Sequence, residues 1–122
     1  MPDFRAETTA GPLRWHEYIE GSWSVLFSHP SDFTPVCTTE LGSVARLAHE
    51  FENRGVKVAA LSCNDLGSHE AWVRDIEALP EYCGEAKVAF PIICDPKRDV
   101  AALYDMLDPE EKDSKGVPLT CR

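Results

Sequence analysis

The chain of 122 residues has no CxxC pair, no long apolar run and few cations, with 12 Lys and Arg against 21 Asp and Glu for a formal net charge of −9. Each shortage excludes something. Without CxxC there is neither a thioredoxin-type dithiol nor a zinc ribbon. No stretch approaches the ~18 apolar residues that a membrane-spanning helix needs. The acidic balance repels phosphate backbones and offers no basic cluster to anionic lipid, so neither nucleic acid nor strong membrane binding is expected. No cluster of side chains has metal-ligand spacing. The first residues, Met1-Pro2-Asp3-Phe4-Arg5, lack the apolar core of a secretion signal. Five cysteines, at 37, 63, 83, 94 and 121, are odd in number and widely spaced. Unpaired thiols suit a reducing compartment, so a cytoplasmic location is expected.

What is present suits one small packed domain, since 43% of the residues are apolar. Residues 22–28 (SWSVLFS) read as a buried strand, and the two prolines that follow make 30–36 a loop. A helix is predicted over 38–53, with Leu41, Val44, Ala45, Ala48 and Phe51 on one face and Arg54-Gly55 as its stop. Residues 56–62 (VKVAALS) form a second predicted strand. Ser68 is a candidate cap for the next helix, which places Trp72, Ile76 and Leu79 on one face and ends at Pro80. A short strand is expected over 90–94, then a helix with Val100, Leu103, Tyr104 and Leu107 on one face. Residues 108–116 (DPEEKDSKG) read as a charged loop, and 117–122 as a strand without a hairpin partner. Alternating strands and helices predict an α/β sandwich with parallel strands.

Cys37 stands out among the five thiols. It follows a proline-stiffened loop and falls in the first turn of a predicted helix, where free backbone N–H groups and the positive end of the helix dipole point. Such a setting favours a thiolate, the nucleophilic form of cysteine. Thr34, three residues earlier, has a hydroxyl within reach of the sulfur or of a substrate oxygen. Glu40, three residues later, is placed to hold an arginine near the sulfur. Cys63, Cys83, Cys94 and Cys121 read as core or incidental thiols.

The run Pro30-x-x-x-Thr34-x-x-Cys37 matches the peroxiredoxin active-site motif PxxxTxxC. The longer string 28–42 (SHPSDFTPVCTTELG) resembles the 1-Cys peroxiredoxins of the peroxiredoxin-6 type, within the AhpC/TSA family. The resemblance continues through VKVAALS, HEAWVRDI, FPII and MLDPEEKDSKGVPLT, so it covers nearly the whole chain. It implies a thioredoxin-like fold and two-electron reduction of hydrogen peroxide or organic hydroperoxides, with Cys37 becoming a sulfenic acid. It also implies that Thr34 and backbone N–H groups orient the peroxide oxygens, that Pro30 shields the sulfur, and that Arg122 completes the site with Glu40 positioning the arginine. His29 matches the histidine that sits beside the reactive cysteine in the 1-Cys subgroup. No metal or organic cofactor is implied for the peroxide step.

Against that pattern the chain reads as a partial thioredoxin-like domain over 1–122, truncated at both ends and incomplete at the C-terminus. It begins near the family's APNF element and ends at the arginine. No resolving cysteine of the 2-Cys type is present, so the implied reductant is an external thiol, glutathione with a glutathione transferase as partner, and the full-length family implies a homodimer. His16 and Ser22 fall on two positions of the lipase triad known in the peroxiredoxin-6 type. The third position is lacking and Glu20-Gly21-Ser22-Trp23-Ser24 breaks the GxSxG pattern, so no lipase activity is expected. The alternative to an enzyme is a non-catalytic fragment that acts as a subunit-interaction module, with an unpaired sheet edge that favours self-association.

Overall fold

The computed structural model describes residues 1–122. In chain order the elements are β1 (Arg5–Ala6), β2 (Leu13–Arg14), α1 (Trp15–Tyr18), β3 (Trp23–Ser28), α2 (Pro35–Arg46), α3 (Ala48–Asn53), β4 (Val56–Ser62), α4 (Leu66–Ala78), α5 (Pro80–Cys83), β5 (Ile92–Cys94), α6 (Asp99–Leu103), β6 (Leu107–Lys112) and β7 (Pro118–Thr120).

A parallel sheet of order β3-β4-β5 forms the centre, with Trp23 opposite Val56 and Ala60 opposite Ile92. The middle strand shows why its sequence is a continuous apolar run. Side chains alternate across a strand, and helices cover both faces of this one. Val58 and Ala60 join Leu41, Ala45, Trp72 and Ile76 on the α2/α4 side. Ala59 and Leu61 join Trp15, Ile93 and Val100 on the other. The outer side of β5 is partly covered by the N-terminal segment, through Thr9 N–H to Ile92 O and Cys94 N–H to Glu7 O. A short antiparallel pair, β1 with β2, precedes the sheet and was absent from the sequence reading because two-residue strands leave no periodic signal.

Four expectations need correction. The helix predicted over 38–53 starts earlier, at Pro35, and is two helices that meet at Leu47. Proline suits the first helical position because its missing N–H would have no partner there. At Leu47 the N–H is shared between the Ser43 and Val44 carbonyls at 3.1 Å each, which tightens the turn and breaks the run. Asp65, not Ser68, caps α4, accepting the Ser68 N–H at 2.9 Å. The helix after residue 98 stops at Leu103, and Leu107 lies in β6. Residues 107–112 are a strand rather than loop, paired antiparallel with β7, so the last strand does have a hairpin partner. Its exposed residues show no apolar alternation. The register comes from turn chemistry instead: the Asp113 carboxylate accepts the Lys115 and Val117 N–H groups, and Gly116 takes φ +77°.

Candidate active site

The site is built where β3 runs out. Beyond Ser28 the chain crosses the C-terminal end of the parallel sheet in a loop over 29–34 and enters α2. Thr34 is the last extended residue (φ −83°, ψ 140°), Pro35 starts the helix, and Cys37 is its third residue. The first intrahelical bond is Thr38 N–H to Thr34 O, 3.0 Å. The N–H groups of Val36 and Cys37 therefore precede the helical ladder, and the positive end of the helix lies at the sulfur.

Cys37 is fully buried. Arg122 donates from Nη2 to its Sγ at 3.3 Å, while Nε of the same guanidinium pairs with Glu40 Oε2 at 3.2 Å. The guanidinium is held above its ordinary pKa, chiefly by the hydrogen bond to Cys37 and that sulfur's charge, with desolvation opposing them and the Glu40 carboxylate adding to them. Residues 85 positions apart meet because the end of β7 is tied to the end of β3. Thr120 Oγ1 donates to the His29 carbonyl at 2.7 Å, and Ser28 Oγ donates to the Cys121 carbonyl. Beside the pair lies a cavity of about 620 Å³, lined by Phe27, His29, Glu40, Leu41, Val44 and Arg122. An apolar wall with a cation at its head suits a small polar group carrying an organic tail.

Thr34 differs from the expectation. Its hydroxyl donates to the Ser31 carbonyl at 3.2 Å and not to Cys37. Pro30 is half-buried between His29 and Ser31. His29 is 2% exposed, with Nε2 on Asp32 Oδ1 at 2.8 Å.

The structure adds residues the sequence reading passed over. Asp32 is buried and also meets Ser68 Oγ (2.8 Å) and His69 Nδ1 (2.6 Å). Burial alone would raise the pKa of its carboxyl, but hydrogen bonds from His29 and His69 and their charge outweigh burial and hold it well below the usual range. Trp72, read only as core, packs on the His29 ring at 4.8 Å and donates Nε1–H to Thr38 Oγ1 at 3.0 Å. Two signals pointed here: the His29-x-x-Asp32 spacing inside the motif loop, and the polar Ser68-His69 pair inside an otherwise amphipathic helix.

The other four cysteines are free as well, and none of their sulfurs is hydrogen-bonded to Cys37 or Arg122. Cys63 and Cys83 are buried, Cys94 and Cys121 half-buried. Burial raises the Cys63 thiol, and burial with surrounding carboxylates pushes Cys94 up to about 11. His16 and Ser22 occupy different surroundings. The His16 ring meets the Met1 carbonyl at 2.9 Å, and Ser22 lines a separate cavity of about 310 Å³ with Tyr18, Phe51 and Lys57. No helix is long and apolar enough to cross a membrane.

Residues 1–121 match the model of the AhpC/TSA family. The chain is 54% identical over 121 residues to peroxiredoxin-6 of Rattus norvegicus, covering 99% of this chain and 54% of that one. It is 52% identical over 116 residues to a 1-Cys peroxiredoxin of Medicago truncatula, covering 95% and 52%. Among solved structures, a cysteine-to-serine mutant of peroxiredoxin 6 from Arenicola marina superposes with a TM-score of 0.92 at 47% identity, over 100% of this chain and 55% of that one. A yeast mitochondrial 1-Cys peroxiredoxin, whose thiol is resolved through glutathione/thioredoxin systems, gives 0.84 at 46%, over 95% and 55%. The thioredoxin-like fold expected from the sequence is thus shared with these proteins. The chain spans about half the length of the curated relatives it matches.

Proposed function

This chain belongs to the AhpC/TSA family, and from that premise we propose that it is the reactive portion, a partial thioredoxin-like domain, of a 1-Cys thiol peroxidase acting through Cys37. The observation that carries the reading is the Cys37 sulfur at the start of α2 with the Arg122 guanidinium 3.3 Å away. The sulfur of a Cys37 thiolate attacks the terminal oxygen of a hydroperoxide. An S–O bond forms, the O–O bond breaks, and the electron pair leaves on the other oxygen, which takes a proton from solvent to become water or an alcohol. Sulfur is oxidised by two electrons to a sulfenic acid, and the peroxide is reduced. Charge moves from sulfur to the departing oxygen, and fixed donors aimed there lower the barrier. Arg122 and the N–H groups of Val36 and Cys37 are the proposed donors. Glu40 holds the guanidinium, His29 walls the cavity and Pro30 limits water at the sulfur, while Thr34 would supply its hydroxyl to the oxygens only on turning from the Ser31 carbonyl that it meets here.

The sulfenic acid would be returned to the thiol by two equivalents of an external thiol, glutathione with a glutathione transferase being the proposed partner. The first condenses with it, releasing water, and the second cleaves the mixed disulfide. The support is that the yeast relative is resolved through glutathione/thioredoxin systems and that no cysteine of this chain is paired. A homodimeric assembly and a cytoplasmic location complete the proposal.

The test is mass spectrometry after one equivalent of peroxide, together with the Cys37→Ser variant. Cys37 should be oxidised first, and Cys37→Ser should lose peroxide reduction to background, since a serine hydroxyl stays protonated near neutral pH. First oxidation at another cysteine would sink the reading.

A second reading rests on β3, whose only sheet neighbour is β4 and whose first residue, Trp23, is 81% exposed. An open strand edge of this kind can pair with another chain, which suits a non-catalytic interaction module. Steady-state peroxide consumption with glutathione or dithiothreitol separates the two. Turnover like that of a full-length relative rejects the module.

A further inference from the structure

The loop that presents Cys37 also buries a carboxylate to which the peroxide step assigns no role. Oδ1 of Asp32 faces His29 Nε2 (2.8 Å) and Ser62 Oγ (3.3 Å), and Oδ2 faces His69 Nδ1 (2.6 Å) and Ser68 Oγ (2.8 Å). A buried carboxylate is tolerated when donors surround it and a counter-charge is at hand. The counter-charge can be located by asking what each ring nitrogen faces. His69 Nε2 lies 3.1 Å from the Ile93 carbonyl oxygen. Both nitrogens of His69 thus face oxygens that only accept, an ionised carboxylate and a carbonyl. Each nitrogen must bear a proton, and the ring is an imidazolium paired with Asp32.

His29 is held differently. Nε2 donates to Asp32, while Nδ1 is the one buried side-chain nitrogen or oxygen in the protein without a partner. The charge of Asp32 is already matched by His69, so nothing draws a second proton onto His29. Its Nδ1 is a bare acceptor. The ring is clamped against Trp72, whose indole N–H reaches Thr38, the residue after Cys37. His29 also lines the cavity that Arg122 and Glu40 share. The titratable groups around it are Asp32 and His69 on one side, and Cys37, Glu40 and Arg122 on the side of α2 and the cavity.

We propose that Asp32 is a positioning residue of this site: paired with the His69 imidazolium, it fixes His29 as the Nε2–H tautomer and leaves Nδ1 to accept the single O–H of a hydroperoxide brought to Cys37. This rests on the peroxidase reading. The proton held by Nδ1 stays on the terminal oxygen as that oxygen moves to sulfur, so His29 neither gains nor loses a proton in the step. The leaving oxygen is protonated from solvent as before. His69 matters because, without its charge, Asp32 would favour a second proton on His29. Nδ1 would then be a donor and could not hold the substrate O–H.

The protonation pattern is read directly by long-range proton–nitrogen correlation NMR on the intact wild-type chain, before peroxide is added. His69 should be protonated on both nitrogens and His29 on Nε2 alone. A bare nitrogen on His69, or a proton on Nδ1 of His29, overturns the proposal, and this measurement requires no variant to fold. The role is then read from the rate of Cys37 sulfenylation by cumene hydroperoxide across about pH 5–9, the range in which histidine titrates. Asp32→Asn and His69→Gln should slow it by roughly 10- to 100-fold, the scale seen when the partner that orients a metal-binding histidine is removed. In His69→Gln the rate profile across that range should also change shape relative to wild type, which a merely structural loss would not produce. Wild-type rates and an unchanged pH profile in both folded variants would reject the positioning role alone. Absence of sulfenylation in the wild type would reject the peroxidase reading, and the role of Asp32 with it, even with the expected NMR pattern.

Discussion

Cys94 is the last residue of β5, and Cys37 lies in the first turn of the helix that follows β3, so both sulfurs sit at one end of the same sheet but in different electrostatic settings. Cys37 is fully buried and Cys94 only partly so. Exposure alone would make Cys94 the more reactive. In the proposed function, charge reverses that order. Around Cys94, burial and then the carboxylates of Asp32, Glu7, Asp65 and Glu70 disfavour the thiolate. Beside Cys37 stand a helix start and the Arg122 guanidinium. On that reading the nucleophile is marked by what stabilises its ionised form, not by how much water reaches it.

The comparison can be broken or sharpened in order of expected effect. Arg122→Met removes the cation and should slow Cys37 sulfenylation by roughly 10²-fold, the usual cost of losing one fixed donor at a developing charge. A loss under about threefold in stopped-flow measurements would mean that the helix start alone sets Cys37 apart from Cys94. Gly42→Ala tests how α2 is seated, because a Cβ there would lie 2.5 Å from the Tyr82 carbonyl oxygen of α5. Denaturant unfolding should show a loss of about 1–3 kcal/mol, as for other overpacked sites. Acid titration probes the buried carboxylate behind the site. The Asp32 carboxyl is depressed on folding, so its contribution is complete above the ordinary carboxylate range, is lost as pH falls through about 4 and below, and never returns on further acidification. The slope of stability against pH below about 4 should be steeper in wild type than in Asp32→Asn, and equal slopes would contradict the depressed value. Cys94→Ala should leave the peroxide rate unchanged. In wild type, alkylation mapped by mass spectrometry should reach Cys94 only as pH rises toward 11, and labelling of Cys94 at neutral pH would undo the contrast.

Much of this was legible in the residues before any coordinates. The strand over 56–62 was readable because a strand covered on both faces is a continuous apolar run. Cys37 was readable because prolines at 30 and 35 fix the approach to a helix start, and Glu40 because it follows one turn later. The β6–β7 hairpin was not readable as a pair, since its exposed residues lack alternation and its register comes from backbone and Asp113 hydrogen bonds. Asp32 and His69 lie 37 positions apart. Nothing local to either predicts that they meet, and a loop aspartate ordinarily belongs to solvent.

By itself, then, the sequence determined the alternation of strands and helices, the place of the sulfur at a helix start, and the acidic charge balance. Those properties depend on residues near one another along the chain, or on composition alone. Tertiary structure decided which cation reaches the sulfur and which histidine of a distant helix meets the Asp32 carboxylate. Each of those is settled by atoms from distant segments within about 3 Å of one another, where burial removes the water that would otherwise make the choice indifferent.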